Sequence, residues 1–456
     1  MSISDQDTLF EEANDDKRVT APAGAGRVAR LARVAGLELV ERESRPLWHA
    51  AAVVLILAFA CMLFYGQFQG HGILMHADMT FPLTLHRIAG EVTNTWLEYG
   101  GFNVVQFVQN SPWVLSFMLV AKVFGLSTAQ YLLMMFVATF ALAGVSMYAL
   151  AYSTIKRIRP LENSRYGLYA GAFLAALVYM YNPFSLFNLW PFMMYIAYAL
   201  MPLIFMMLQK TYQKPKLRYI IVLALLVTVA STHPMGMTWA WIMIAAYTVY
   251  YLIVKRFGRK NLLTAAKVFF SSTVLYLFLN AAWVVPFVGA KLAGKPLVPA
   301  YSPYLVQGSL DGLSQSATLS NNLRLVSGYG QFAIPGSTGA VNVILSFALP
   351  ALAILCLILL GRRIEKNGTV MFMAAVSVIS LLVATGSSFI LRRPYSYTVL
   401  RAPGSASVGW IFRSPNRLLF VVPIFYALML GILVTWLMRE AHLREHTGEE
   451  VSRADG

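Results

Sequence analysis

The feature that most constrains this chain is a series of apolar runs of about twenty residues, separated by short polar connections, between Trp48 and Met438. A bilayer hydrocarbon core about 30 Å thick needs roughly 20 such residues per helix. The runs are continuous and show no alternation of apolar and polar positions, so they point to helices and away from a closed β-barrel. Charged residues make up only 12% of the 456 and hydrophobic ones 58%, whereas a soluble domain is about 25% charged. The fold class expected is therefore all-α, a polytopic transmembrane helical bundle.

Ten spans are predicted: 48–66, 129–153, 168–183, 188–209, 218–232, 235–254, 266–288, 340–361, 369–391 and 418–438. Residues 1–47 form a polar N-terminal tail, acidic and disordered to about Gly24, with Arg27 to Arg45 able to form a helix on the membrane surface. The first apolar run is too long and too far from the N-terminus for a cleaved signal peptide. Residues 439–456 form a C-terminal tail. The run Pro112 to Leu126 is shorter and is assigned to the interface, because counting it as a span would scatter the basic residues across both sides.

With that assignment, 26 of the 36 Lys and Arg residues fall on one side, including Lys156, Arg157, Lys210, Lys214, Lys216, Lys255, Arg256, Arg259, Lys260 and Arg362. The positive-inside rule makes this side cytoplasmic, with both termini on it. The net charge of +16 thus serves orientation and contact with anionic lipid, and nucleic-acid binding is not implied. Cys61 and Cys356 lie inside apolar runs, so neither a disulfide framework nor a zinc site is expected.

Three long outer segments remain, about 67–128, 289–339 and 392–417. They carry only four carboxylates: Asp78, Glu91, Glu98 and Asp311. Asp78, in His76-Ala77-Asp78-Met79-Thr80-Phe81-Pro82, stands where the chain re-enters the interface. A carboxylate there can be desolvated into a general base, or it can cap a helix starting near Pro82. The third segment carries Arg392, Arg393, Arg401, Arg413 and Arg417 and no acid. Arginine suits phosphate, because its planar fork binds two oxygens and stays charged; the plainer reading is snorkelling to lipid headgroups.

His71, His76 and His86 lie loosely around Asp78, and His233 sits at an outer span end, where it can bind substrate or satisfy a helix end. His76 and Asp78 could share a divalent metal, but their H-x-D spacing is common by chance and implies no further ligand, so no cofactor is predicted. Tyr181, Phe184, Trp190, Tyr301, Tyr304, Tyr329 and Trp410 lie in or near outer loops, where aromatics form the interfacial belt or stack on sugar faces. No Walker loop, Rossmann fingerprint, nucleophile elbow or H-E-x-x-H occurs, which leaves ATPase, dinucleotide oxidoreductase and zincin chemistry without a basis.

The ordered set of first span, His76-Ala77-Asp78 with Pro82, interfacial helix, Tyr181-Asn182-Pro183 and Phe412-Arg413-Ser414-Pro415-Asn416-Arg417 before a late span resembles the GT-C superfamily of polytopic glycosyltransferases. Its last motif resembles the arginine motif of YfhO-like and arabinofuranosyltransferase-type members. The resemblance covers roughly 48–438 and rests on layout and short motifs. It implies a polyprenyl-phosphate sugar donor, a glycan, lipid or protein acceptor, and an extracytoplasmic active site in the cell membrane. Asp78 would be the base, Arg413 and Arg417, with Arg392 and Arg393, would hold the donor phosphate, and His76, His233 and Glu91 would contact substrate. One acid at the first-loop motif position, where many relatives carry a paired acidic motif, and a chain that ends soon after its last span depart from the family's pattern, which admits a partner subunit, a truncated unit or an inactive relative. The competing readings are a lipid-linked oligosaccharide transporter, a noncatalytic glycan-assembly subunit and a membrane scaffold. Span centres nearly free of ionisable residues speak against the transporter.

Overall fold

The computed structural model describes residues 37–68, 112–158, 161, 165–189, 192–292, 303–327, 340–365, 367–402, 405 and 409–454. The regular structure among them is entirely helical. Residues 1–52 and 53–456 group as separate units, and the packing below is that of the second.

Seven segments are long and apolar enough to cross a bilayer: Pro46–Leu63, Thr128–Ile155, Phe192–Gln213, Pro234–Val254, Arg259–Leu279, Ala340–Arg362 and Pro415–Arg444. Tyr166–Tyr181, Leu217–Ala230 and Gly368–Val383 are shorter apolar helices. The chain is a membrane-embedded, multi-pass helical protein.

The first helix, α1, spans Leu37–Leu63. It begins eleven residues before the predicted first span, so the helix expected over Arg27 to Arg45 is, from Leu37, the same helix. Next comes α2, Pro112–Val123. Its twelve residues extend about 18 Å, too short to span, and Gly125, at φ +61°, ends it with the Leu126 N–H donating to Ala121 O (2.9 Å). Helix α3, Thr128–Ile155, starts at a capping box in which Ser127 and Gln130 each accept the other's backbone N–H.

Helix α4, Arg165–Tyr181, stops where Asn182 caps the short α5, Pro183–Asn188, with Pro183 at its first position. Then follow α6 (Phe192–Gln213), α7 (Leu217–Ala230), α8 (Pro234–Val254) and α9 (Arg259–Leu279). The predicted span 266–288 is in fact divided. Asn280 donates to Tyr276 O (2.8 Å) and to Thr228 Oγ1 (2.9 Å), and α10 (Ala281–Leu292) starts after it.

The remaining helices are α11 (Pro303–Ser316), α12 (Leu319–Leu323), α13 (Ala340–Ser346), α14 (Ala348–Ile364), α15 (Gly368–Val383), α16 (Arg392–Leu400) and α17 (Val422–Ala454). Two boundaries differ from expectation. The span read as 369–391 ends at Val383, and the turn 384–391 leads into α16. The last helix is entered through 3₁₀ turns at Gly409–Arg413 and Pro415–Val421, and it continues to Ala454 across the predicted C-terminal tail.

At the centre, residues 418–435, where α17 opens, are buried almost throughout, while α9 presents most of its surface outward. The α4–α17 crossing depends on glycine. A Cβ on Gly171 would stand 2.3 Å from Gly431 O, and one on Gly431 would stand 2.7 Å from Gly171 O. Thr435 Oγ1 donates to Gly167 O (3.0 Å) beside them. Small residues that let backbones approach, with a hydroxyl joining the helices, are a common device of membrane interfaces.

The alternation of helix directions gathers the basic connections at one end. Asn367 Nδ2 donates to Thr154 O (3.4 Å), Gln209 Nε2 to Thr369 Oγ1 (2.8 Å) and the Tyr250 hydroxyl to Gly368 O (3.1 Å). These contacts bring together the ends that carry Lys156, Lys210, Lys255, Arg259 and Arg362. The opposite end is aromatic: Phe140 meets Tyr181 (5.3 Å), Phe184 meets Trp239 (6.1 Å), and Trp239 stacks on Phe420 (5.1 Å, 14°).

Candidate functional site

Two of the predicted site arginines, Arg413 and Arg417, lie at this aromatic end on the 3₁₀ turns before α17. Three neighbours fix those turns. The Tyr395 hydroxyl, on the buried face of α16, donates to Phe412 O (2.7 Å). Gly409 lies so close to α16 that a Cβ there would be 2.0 Å from Val399 O. Gly386, at φ +57°, lets the turn after α15 sit against Pro415: a Cβ on it would be 2.6 Å from Pro415 Cγ and 2.6 Å from Ser314 Oγ. The Ser387 N–H donates to that Ser314 oxygen (3.1 Å). The sequence Ser414-Pro415-Asn416 is therefore a buried seat that holds two half-buried arginines.

The structure brings a third predicted residue to this pair. His233 precedes α8, and its Nδ1 accepts the Met235 N–H (3.0 Å), with Pro234 at the first helical position. This satisfies the helix end, and it leaves Nε2 as the nitrogen that carries hydrogen. Burial, then the charges of Arg417 and Arg413, push the imidazole down to about 3, so the ring is neutral at physiological pH. Three donors, two of them permanently cationic, thus gather where α8 and α17 begin. Such a cluster suits a phosphate or another oxyanion.

Arg392 and Arg393 do not join them. Both are exposed in the first turn of α16, while the opposite face of that helix, Tyr395 and Val399, is buried. Asp78, His76 and Glu91 lie outside the described residues, as do His71, His86, Glu98, Trp190, Tyr301 and Tyr329. The side chains of Tyr304 and Trp410 also lie outside them. Asp311 is exposed on α11 and accepts from Ser387 Oγ (3.4 Å), which ties it to the turn that seats Pro415. Among the described residues, no three His, Cys, Asp or Glu side chains converge on a metal site. Cys61 and Cys356 are both free.

Sequence reasoning did not single out Arg324, which is only 8% exposed at the same end. It donates from Nε to Ser346 Oγ (2.5 Å) and from Nη1 to Asn321 Oδ1 (3.3 Å), and it lies 5.7 Å from the centre of the Phe347 ring. Its position as the one arginine of the outer segment 289–339 was the available signal. Tyr181 and Phe184 serve packing: the Tyr181 hydroxyl donates to Phe59 O, and Phe184 lies against Tyr198 and Trp239. Beside Tyr181 an apolar recess of 410 Å³ opens among Phe59, Met62, Leu177, Val178 and Leu349.

Comparison with protein-family models, with curated proteins and with solved structures finds no match to this chain.

Proposed function

We propose that this protein is a membrane glycosyltransferase of GT-C type, with ten spans, that moves a sugar from a polyprenyl-phosphate donor to an acceptor on the extracytoplasmic face. One observation carries the reading. Arg413 and Arg417 stand on a seated turn at the end of the helices opposite the basic connections, where the positive-inside rule puts the extracytoplasmic side. Arginines that serve only to orient the chain belong at the other end.

In the reaction proposed, Asp78 takes the proton of an acceptor hydroxyl as its oxygen attacks the anomeric carbon. The bond from that carbon to the phosphate oxygen breaks, and its electron pair leaves with the lipid phosphate. Arg413 and Arg417 stabilise the charge that develops there. A single displacement of this kind inverts the anomeric centre. The apolar recess beside Tyr181 offers hydrocarbon volume at the same end for a lipid chain.

The test is transfer of labelled sugar by purified protein and its variants. Asp78→Asn is expected to abolish transfer while the protein stays folded, and undiminished transfer would remove Asp78 as the base. The second reading, a noncatalytic glycan-assembly subunit, uses the same arginines to bind phosphate and needs no base. It predicts that a lipid phosphate binds while no sugar moves.

A further inference from the structure

His233 does two jobs with its two nitrogens. Its Nδ1 is committed to the Met235 N–H (3.0 Å), so protonating that nitrogen would break the cap of α8. The hydrogen therefore resides on Nε2, at the far side of the ring from the helix.

The turn that carries Arg417 packs against the helix that His233 begins. Phe420 stacks on Trp239 (5.1 Å), which aligns the 3₁₀ turn with α8. Both segments start at the aromatic end and run toward the basic end. Residues three apart eclipse in a 3₁₀-helix, so Arg417 projects on the Phe420 side, about 6 Å nearer the outer end. His233 lies six residues before Trp239, about 9 Å in the same direction. The two residues thus lie within about 3 Å of one level along the helix axis, and both arginine charges are felt at the imidazole. The residue between the arginines, Asn416, is 2% exposed, and its Oδ1 meets no donor among the described residues. A phosphate that carries a hydroxylated substituent would supply a donor for this oxygen.

We propose that His233 is the third ligand of the phosphate group held by Arg413 and Arg417, donating Nε2–H to a phosphate oxygen while its Nδ1 keeps the cap of α8. The proposal rests on the reading of the arginine pair as a phosphate site. It gives the site a neutral, directional donor beside two cations. A third cation would have to be buried next to the first two, whereas a neutral imidazole adds a hydrogen bond without that repulsion.

The test uses the full-length chain in lipid nanodiscs, titrated with decyl phosphate, with inorganic phosphate and with 1-decanol as the uncharged control. Serine and asparagine are both good N-caps, so His233→Ser and His233→Asn keep the cap and remove the distal donor. A hydrogen bond to a charged partner makes the expected loss of decyl phosphate affinity about ten- to hundred-fold. Decanol binding and the thermal midpoint should stay unchanged. Wild-type phosphate affinity in both variants, with Arg413→Gln and Arg417→Gln weakened, would overturn the role of His233 and leave the arginine reading standing. Unchanged affinity in all four variants would overturn both. Tighter binding of decyl phosphate than of inorganic phosphate identifies a lipid-linked ligand, and equal binding identifies free phosphate; the cradle stands in either case.

Discussion

Two glycines of left-handed conformation permit a controlled perturbation of the arginine seat. Gly125 (φ +61°) has nothing within 4 Å of where a methyl would stand, whereas Gly386 (φ +57°) would put that methyl 2.6 Å from both Pro415 Cγ and Ser314 Oγ. Alanine at either site incurs the left-handed penalty of about 1–2 kcal/mol. Only Gly386→Ala adds overpacking, about 1–3 kcal/mol, because backbone-linked atoms of Pro415 must yield. The expected totals are thus about 1–2 kcal/mol for Gly125→Ala and about 2–5 kcal/mol for Gly386→Ala. Thermal unfolding of the purified protein in detergent, followed by the exposure of buried cysteine to a thiol dye, measures the difference; Cys356 is fully buried. Decyl phosphate titration at a temperature where both variants are folded then asks whether the displaced turn carries the arginines with it. Gly386→Ala should bind more weakly than Gly125→Ala. Equal midpoints and equal affinities would refute the claim that Gly386 seats the arginine turn.

Other consequences follow from single contacts. Gly431→Ala forces a methyl toward Gly171 O, where 2.7 Å is available, so a loss of about 1–3 kcal/mol is expected, read as a lowered thermal midpoint. For His233 the folded value of about 3 lies below the ordinary 6.5, so the unfolded chain binds the extra proton between those values. Its contribution is therefore full above about pH 6.5, falls as the pH drops below that, and levels off near 3. Between pH 7.5 and 5 the wild type should lose about 2 kcal/mol more than His233→Ser, and parallel pH profiles of the two midpoints would show that the ring titrates normally.

Much of the fold is legible because lipid imposes a simple rule on sequence: each span must be apolar and must satisfy its own backbone. Breaks inside apolar runs are less visible. Asn182-Pro183 announces the end of α4, because asparagine caps and proline starts helices. Asn280 divides the run 266–288 six residues before its proline, Pro286, through side-chain bonds to Tyr276 and Thr228 and by accepting the Trp283 Nε1–H (2.9 Å), partners that only the folded chain assembles. Likewise Leu418-Leu419-Phe420-Val421 reads as the start of a span, yet Pro415 begins a 3₁₀ turn there.

The site was legible in its parts and not in its assembly. Arg413, Arg417 and His233 each stood out by their position at an outer span end. Their meeting depends on the stacking of Trp239 and Phe420, 181 residues apart in the chain. Arg392 and Arg393 matched the same chemistry by composition, but the buried face of α16 is set by Tyr395 and Val399, which leaves both arginines exposed. Gly386 and Ser314 could not be read at all, since their importance lies in the distance to Pro415.

The central claim is that sugar leaves a lipid phosphate held at Arg413 and Arg417. It is tested most directly by offering purified wild-type protein a panel of radiolabelled polyprenyl-phosphate sugars, with lipid, glycan and peptide acceptors, and measuring label in product. The account predicts transfer from at least one donor, with inversion at the anomeric carbon, and loss of that transfer in the Arg413→Gln, Arg417→Gln double variant. Folded protein that binds the donors and transfers from none would contradict it.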